Sequence, residues 1–152
     1  HFEKQNLFRF IQDVNAGGAA CLNRLDIEIT ESALLNLEKS IDHVLQLKKL
    51  GISISLDDFG TGYSSLSVLH QLPIDCVKID KSFIKDFKKE SKSIIKMIIQ
   101  MSNNLNVKVV AEGIETKEQL DFLIQEGCSF GQGYYYSKPL PKAEFERKWL
   151  KK

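Results

Sequence analysis

In the segment SLDDFGTGYSSL, residues 55–66, two carboxylates stand side by side and a loop of glycine, threonine and serine follows at once. Adjacent carboxylates repel, and each raises the other's pKa unless a cation sits between them. Glu28 and Glu112 lie in two other apolar runs and, with Asp57 and Asp58, complete a set of hard oxygen donors with no His or Cys at ligand spacing. Such a set suits Mg²⁺ or Mn²⁺ rather than zinc. Two such ions about 3.5 to 4 Å apart can share one carboxylate and clamp the attacking and leaving oxygens of a phosphoryl transfer. Asp57 is the candidate bridge. Lys78 falls on the same strand parity as the acids. A cation there can orient a nucleophilic water or neutralise a phosphoryl oxygen; the alternative is a structural ion pair with Asp80 or a neighbouring acid. The GTGYSS loop permits close backbone approach to a ligand, although a short glycine turn is weak evidence alone. Any single acid could equally be a strand-end cap or turn former.

These residues need elements that carry them to one place. The chain alternates short β-branched runs with stretches of helical period. RLDIEI (24–29) precedes a predicted helix from about 32 to 50, which Gly51 stops. ISISLD (52–57) leads into the glycine loop and a short helix near 64–71, broken by Pro73. CVKID (76–80), a helix over 91–104 and VKVVAE (107–112) follow. After Thr116, which can cap, a helix runs to about 126, and 130–136 reads as the last strand. Five strands alternating with helices predict a parallel sheet with crossover connections.

Parity decides the kind of sheet, because side chains alternate faces along a strand. Ile52, Ile54 and Leu56 share one face; Ser53, Ser55 and Asp57 share the other. Leu25, Ile27 and Ile29 oppose Asp26 and Glu28, and Val77 and Ile79 oppose Cys76, Lys78 and Asp80. Val107, Val109 and Ala111 oppose Lys108, Val110 and Glu112. A doubly wound sheet would bury the charged set under apolar helices at several kcal/mol per unpaired ion. A closed (β/α) barrel turns that face inward, with the acids near the carboxyl ends of the strands.

The bulk composition agrees with one globular domain: 152 residues, 43% hydrophobic and 27% charged. A net charge of +1 gives no field suited to DNA, and no apolar run approaches the roughly 20 residues a bilayer requires. Cys21, Cys76 and Cys128 are odd in number and widely spaced among apolar neighbours, as reduced thiols of a cytoplasmic protein would be. HFEKQNLFRFIQDV lacks the features of a signal peptide and reads as an amphipathic helix. His43 and His70 fall in helical stretches with no ligand partner at useful spacing, and KWLKK reads as a solvated helix end.

Five segments resemble the EAL domain family, bacterial phosphodiesterases that linearise cyclic di-GMP on a modified TIM barrel: 26–32, 55–66, 72–84, 109–116 and 131–140. They run in the family's order and spacing. The resemblance implies metal ligands at Glu28, Asp57 and Asp58, with Lys78 holding the catalytic water. It implies that Glu112 serves the second metal or acts as general base, and that Glu31 holds the loop after Asp58 in shape. Glu115 and Gln132 match positions lining substrate and metal, and Pro139 closes the final motif. The implied cofactors are two ions of Mg²⁺ or Mn²⁺, and the implied product is linear pGpG.

One departure bears on activity: the name-giving Glu-Ala-Leu of the first barrel strand is absent from residues 1–152, and so is the metal-binding Asn expected just before this segment. The chain therefore reads as a partial EAL domain, an incomplete TIM-type barrel of about five strands. His1 in place of an initiator Met fits an excised piece. Expected consequences are negligible turnover by this chain alone, self-association through open sheet edges, and a parent that carries sensory or cyclase domains. The alternative is a non-catalytic module that binds nucleotide or another protein. A phosphoacceptor receiver domain fails on motif order, because the acidic pair would have to stand on the first strand.

Overall fold

The computed structural model describes residues 9–11, 13, 22–31, 37–60 and 71–150. The sequence readings for the amino-terminal helix, for Cys21, for residues 32–36 and for the loop and helix over 61–70 lie outside or mostly outside this set.

Among the described residues, five strands form one parallel sheet in the order β1-β2-β3-β4-β5. They are β1 (Asp26–Thr30), β2 (Ser53–Phe59), β3 (Cys76–Ile79), β4 (Lys108–Glu112) and β5 (Phe130–Gln132). Each strand pairs with the next in sequence, so the order never reverses as it must in a doubly wound sheet. Helices α1 (Leu37–Lys49), α2 (Lys81–Asp86), α3 (Lys89–Asn104), α4 (Lys117–Gln125) and α5 (Lys142–Phe145) lie between or after the strands, and α5 runs on into a wide helical turn, Glu146–Leu150. One direction of winding with interleaved helices is an arc of a (β/α) barrel.

The core follows the parity of the strands. Ile52, Ile54, Leu56, Val77, Ile79, Val109 and Ala111 are all buried, packed with Val44 and Leu47 of α1 and with Ile95, Ile98 and Ile99 of α3. The α1 pair recurs at three residues and the α3 set at three and four, which is why each helix has a single apolar stripe. A fully buried Ile or Leu contributes about 2 to 3 kcal/mol. The opposite face carries Glu28, Asp57, Lys78 and Glu112, one on each of four successive strands.

Three departures from the expected elements have local causes. The last strand ends at Gln132 rather than at residue 136. Beyond it the chain turns around Ile114, whose carbonyl accepts the Tyr135 N–H at 2.9 Å. A Cβ at Gly133 would lie 2.1 Å from that carbonyl oxygen, so only glycine allows the crossing. A six-residue helix, α2, was not anticipated; Asp80 starts it by accepting the Ser82 N–H at 2.8 Å. Third, β2 is irregular between Leu56 and Phe59, with Asp58 at φ 55°.

Candidate active site

Regular alternation would put Asp58 on the same face as Leu56, in the core. The irregularity in β2 prevents this: the left-handed turn at Asp58 swings its carboxyl out to the strand end, beside Asp57. Glu28 arrives on β1 and Glu112 at the end of β4. Lys78, on β3 between them, is nearly buried at 8% exposure and is where they meet. Its Nζ lies 2.7 Å from Glu28 Oε1, 2.8 Å from Glu112 Oε1 and 3.2 Å from Asp57 Oδ1. Burial alone would push the ammonium's pKa down, but hydrogen bonds to Glu112 and Glu28 outweigh it and hold Lys78 above the ordinary lysine range. It is a fixed cation at neutral pH.

Three carboxyl groups on one ammonium leave negative charge over. Asp57 Oδ1 is buried and, although near Nζ, has no hydrogen bond of acceptable angle. A second acidic pair lies beside it. The Asp58 and Asp80 carboxyls hydrogen-bond each other; burial together with Asp57, Asp80 and Glu112 pushes Asp58 up. Burial opposes ionisation of Asp80 as well, yet the Ser82 hydroxyl and N–H and the Asp58 contact hold it below the usual range.

Among the described residues no three acidic, His or Cys side chains stand as a ready ligand cage. The acids are drawn onto the ammonium instead. The donor set nevertheless fits a divalent cation: hard oxygens from β1, β2 and β4 and from Asp80 just past β3, a buried oxygen lacking a hydrogen bond, and a crowded Asp58–Asp80 pair. Glu28, Asp57, Asp58, Asp80 and Glu112 are the residues that can hold one.

The remaining candidates sit around this cluster. Glu31, 6% exposed, accepts the Gly60 N–H at 3.3 Å and so touches the first residue of the glycine loop. Gln132 pairs in register with Glu112 and, with Glu28 and Lys78, lines a cavity of about 320 Å³ on the inner face. Glu115 is exposed, 3.8 Å from Lys85 Nζ. Pro139 stands apart from the acids: it lines a neighbouring hollow of about 410 Å³ with Tyr134, Tyr136 and Trp149, and Gln132 is common to both. Trp149, read from the sequence as part of a solvated end, is half exposed and forms a wall of that hollow.

Asp80 is the site residue that sequence reasoning assigned no role of its own beyond a possible partner for Lys78. Its signal was present: it shares the inward parity of Lys78, two residues on, and precedes Ser82 at capping distance.

The sequence model of the EAL domain matches residues 2–139. The chain belongs to the EAL domain family. A cyclic di-GMP phosphodiesterase of Pseudomonas aeruginosa, NbdA, is 48% identical over 134 residues, covering 86% of this chain and 17% of the relative. A structure described as the PaMucR phosphodiesterase in complex with c-di-GMP superposes with a TM-score of 0.87 at 35% identity, covering 91% of this chain and 57% of the other. The Klebsiella pneumoniae protein BlrP1, in a manganese and cyclic di-GMP complex, superposes with a TM-score of 0.78 at 27% identity, covering 91% of this chain and 35% of the other. EAL domains are TIM-type barrels, and the five-stranded arc is part of one. The chain thus spans about a fifth of the length of the curated relatives it matches and little more than half of the most fully covered of these EAL structures. Among the described residues, no helix is long and apolar enough to cross a membrane.

Proposed function

We propose that this chain is the carboxyl-terminal part of a cyclic di-GMP phosphodiesterase, which hydrolyses one phosphodiester of the cyclic dinucleotide to give linear pGpG. The observation that carries the reading is the convergence of Glu28, Asp57 and Glu112, from three separate strands, on Lys78. The relatives named as phosphodiesterases support the substrate.

In this reading Glu28, Asp57, Asp58 and Glu112, joined by Asp80, hold two ions of Mg²⁺ or Mn²⁺. When bound, these supply Lewis acidity to the phosphoryl group and to water. Asp57, at the centre of the set, would be the carboxylate shared between them. Lys78 stays protonated, so its role is to hold the attacking water and offset phosphoryl charge rather than to accept a proton. Glu112, one hydrogen bond from Lys78, would serve the second ion or act as the general base that takes the water proton. Glu31 keeps the backbone at Gly60 in the shape that presents Asp57 and Asp58. Gln132 and Glu115 line the substrate, and Pro139 closes the hollow next to it.

The activity belongs to the intact domain, which supplies the Glu-Ala-Leu strand; this chain alone is expected to turn over negligibly. The reaction is placed in the cytoplasm, with sensory or cyclase domains attached in the parent. Incubation of the longer parent and of this chain with cyclic di-GMP and Mg²⁺ or Mn²⁺, followed by chromatography, tests the reading. Formation of pGpG by the parent and its loss in Asp57→Asn support it. A parent that binds the nucleotide without turnover marks a non-catalytic module and overturns it.

A further inference from the structure

Gln119 is buried, at 6% exposure, in the first turn of α4, and both ends of its amide are used. Its Oε1 accepts the N–H of Glu115 at 2.8 Å and of Thr116 at 3.0 Å. Its Nε2 donates to the carbonyl of Ile84, in α2, at 2.8 Å. A capping box asks only that this side chain reach back to the cap N–H, and it works as well on the surface. The Glu115 N–H and the bond to Ile84 go beyond that requirement.

The two segments so joined both lead out of the acid cluster. The turn over 113–116 follows directly from Glu112, and α2 follows directly from Asp80. They are in close contact: Gly113 has φ 77°, and a Cβ there would lie 2.8 Å from that of Lys81. On its other side the turn is fixed to β5, where the Ile114 N–H donates to the Gln132 carbonyl at 3.1 Å. Ile114 itself is fully buried. The β5 side is thus held by backbone hydrogen bonds and by the packing of Ile114 against Gly131. On the α2 side, Gln119 supplies the side-chain hydrogen bonds that bind the turn.

We propose that Gln119 is a positioning residue for the acid cluster. By tying the turn after Glu112 to the helix after Asp80, it sets Glu112 relative to Lys78 and to the Asp58–Asp80 pair. It touches neither substrate nor cation. Its consequence for catalysis rests on the phosphodiesterase reading; the tie itself does not.

Three variants of this chain test the proposal. Gln119→Met keeps the volume and removes all three bonds. Gln119→Glu keeps acceptors for the Glu115 and Thr116 N–H groups but sets an oxygen against the Ile84 carbonyl. Val44→Ala truncates a buried core residue of α1 and reports loss of stability alone. The readouts are the Lys78 side-chain ¹⁵N resonance without metal, and the Kd for Mn²⁺ from water-proton relaxation. In both Gln119 variants the resonance moves and the Kd rises about tenfold, the scale typical of residues that orient ligands; Val44→Ala changes neither. Amide exchange at Glu115 and Thr116 accelerates in Gln119→Met only. An unmoved Lys78 resonance in the Gln119 variants, or an equal effect of Val44→Ala, overturns the proposal. Absence of Mn²⁺ binding by the unsubstituted chain would count against the phosphodiesterase reading, and the metal-free resonance would still decide the tie.

Discussion

Lys78 is a short-range substitute for a stronger cation. Its ammonium brings Glu28, Asp57 and Glu112 within hydrogen-bonding reach, but one charge does not balance three carboxyl groups. Replacing it with Met keeps the packed stem and leaves the acids facing one another. Removing one partner of a buried pair costs about 3 to 5 kcal/mol. Glu28 is half exposed here, so a loss of about 2 kcal/mol, or roughly 4 to 8 °C in Tm, is expected. Because a divalent ion can take over the missing charge, added Mg²⁺ should raise the Tm of Lys78→Met more than that of the unsubstituted chain. Thermal melts with and without Mg²⁺ check both statements, and an unchanged Tm would contradict them. Asp80 is a second residue with a defined sign. Its folded pKa lies below its ordinary value, so its contribution is present above about pH 4 and disappears as pH falls through the folded pKa. Asp80→Asn keeps the cap acceptor but does not titrate. Urea unfolding should therefore show a shallower loss of stability between about pH 5 and pH 2 in the variant.

At the scale of elements, α3 carries a small defect that can be corrected. Ser102 is fully buried on its apolar stripe, and its hydroxyl has no hydrogen bond. Ser102→Ala removes that orphan and should raise stability by about 1 kcal/mol, or roughly 2 to 4 °C; a lower Tm would contradict this. The elements also show what the sequence could and could not reveal. The first four strands were legible because each has a one-sided apolar pattern, and the parity of Glu28, Asp57, Lys78 and Glu112 was enough to put them on one face. The bend at Asp58 was not legible: period-two alternation has no term for an irregularity, and although Asp is among the residues enriched at positive φ, residue type alone does not say which Asp adopts it. The helix α2 was missed because six residues show less than two helical turns of periodicity, and only the Asp80 cap marks it. The end of β5 depends on a crossing at Ile114, a contact between distant residues that no local pattern records.

For the whole molecule, the governing feature is the unreversed strand order. It keeps the core helices on the apolar side and the acids on the opposite side, so carboxylates from distant positions in the chain converge on Lys78. It also leaves β1 and β5 as the outer strands among the described residues. Open parallel edges invite pairing, so this chain alone is expected to sediment as a dimer or larger at micromolar concentration; a clean monomer by analytical ultracentrifugation would contradict that. The most direct measurement of the shared cation pocket is paramagnetic broadening by Mn²⁺ in a ¹⁵N spectrum of this chain. Amides of Glu28, Asp57, Asp58, Lys78, Asp80 and Glu112 should broaden first and together at substoichiometric ion, while those of the surface pair Lys117 and Asp121 stay sharp. Broadening centred on surface acids, or spread evenly over the chain, would contradict the site.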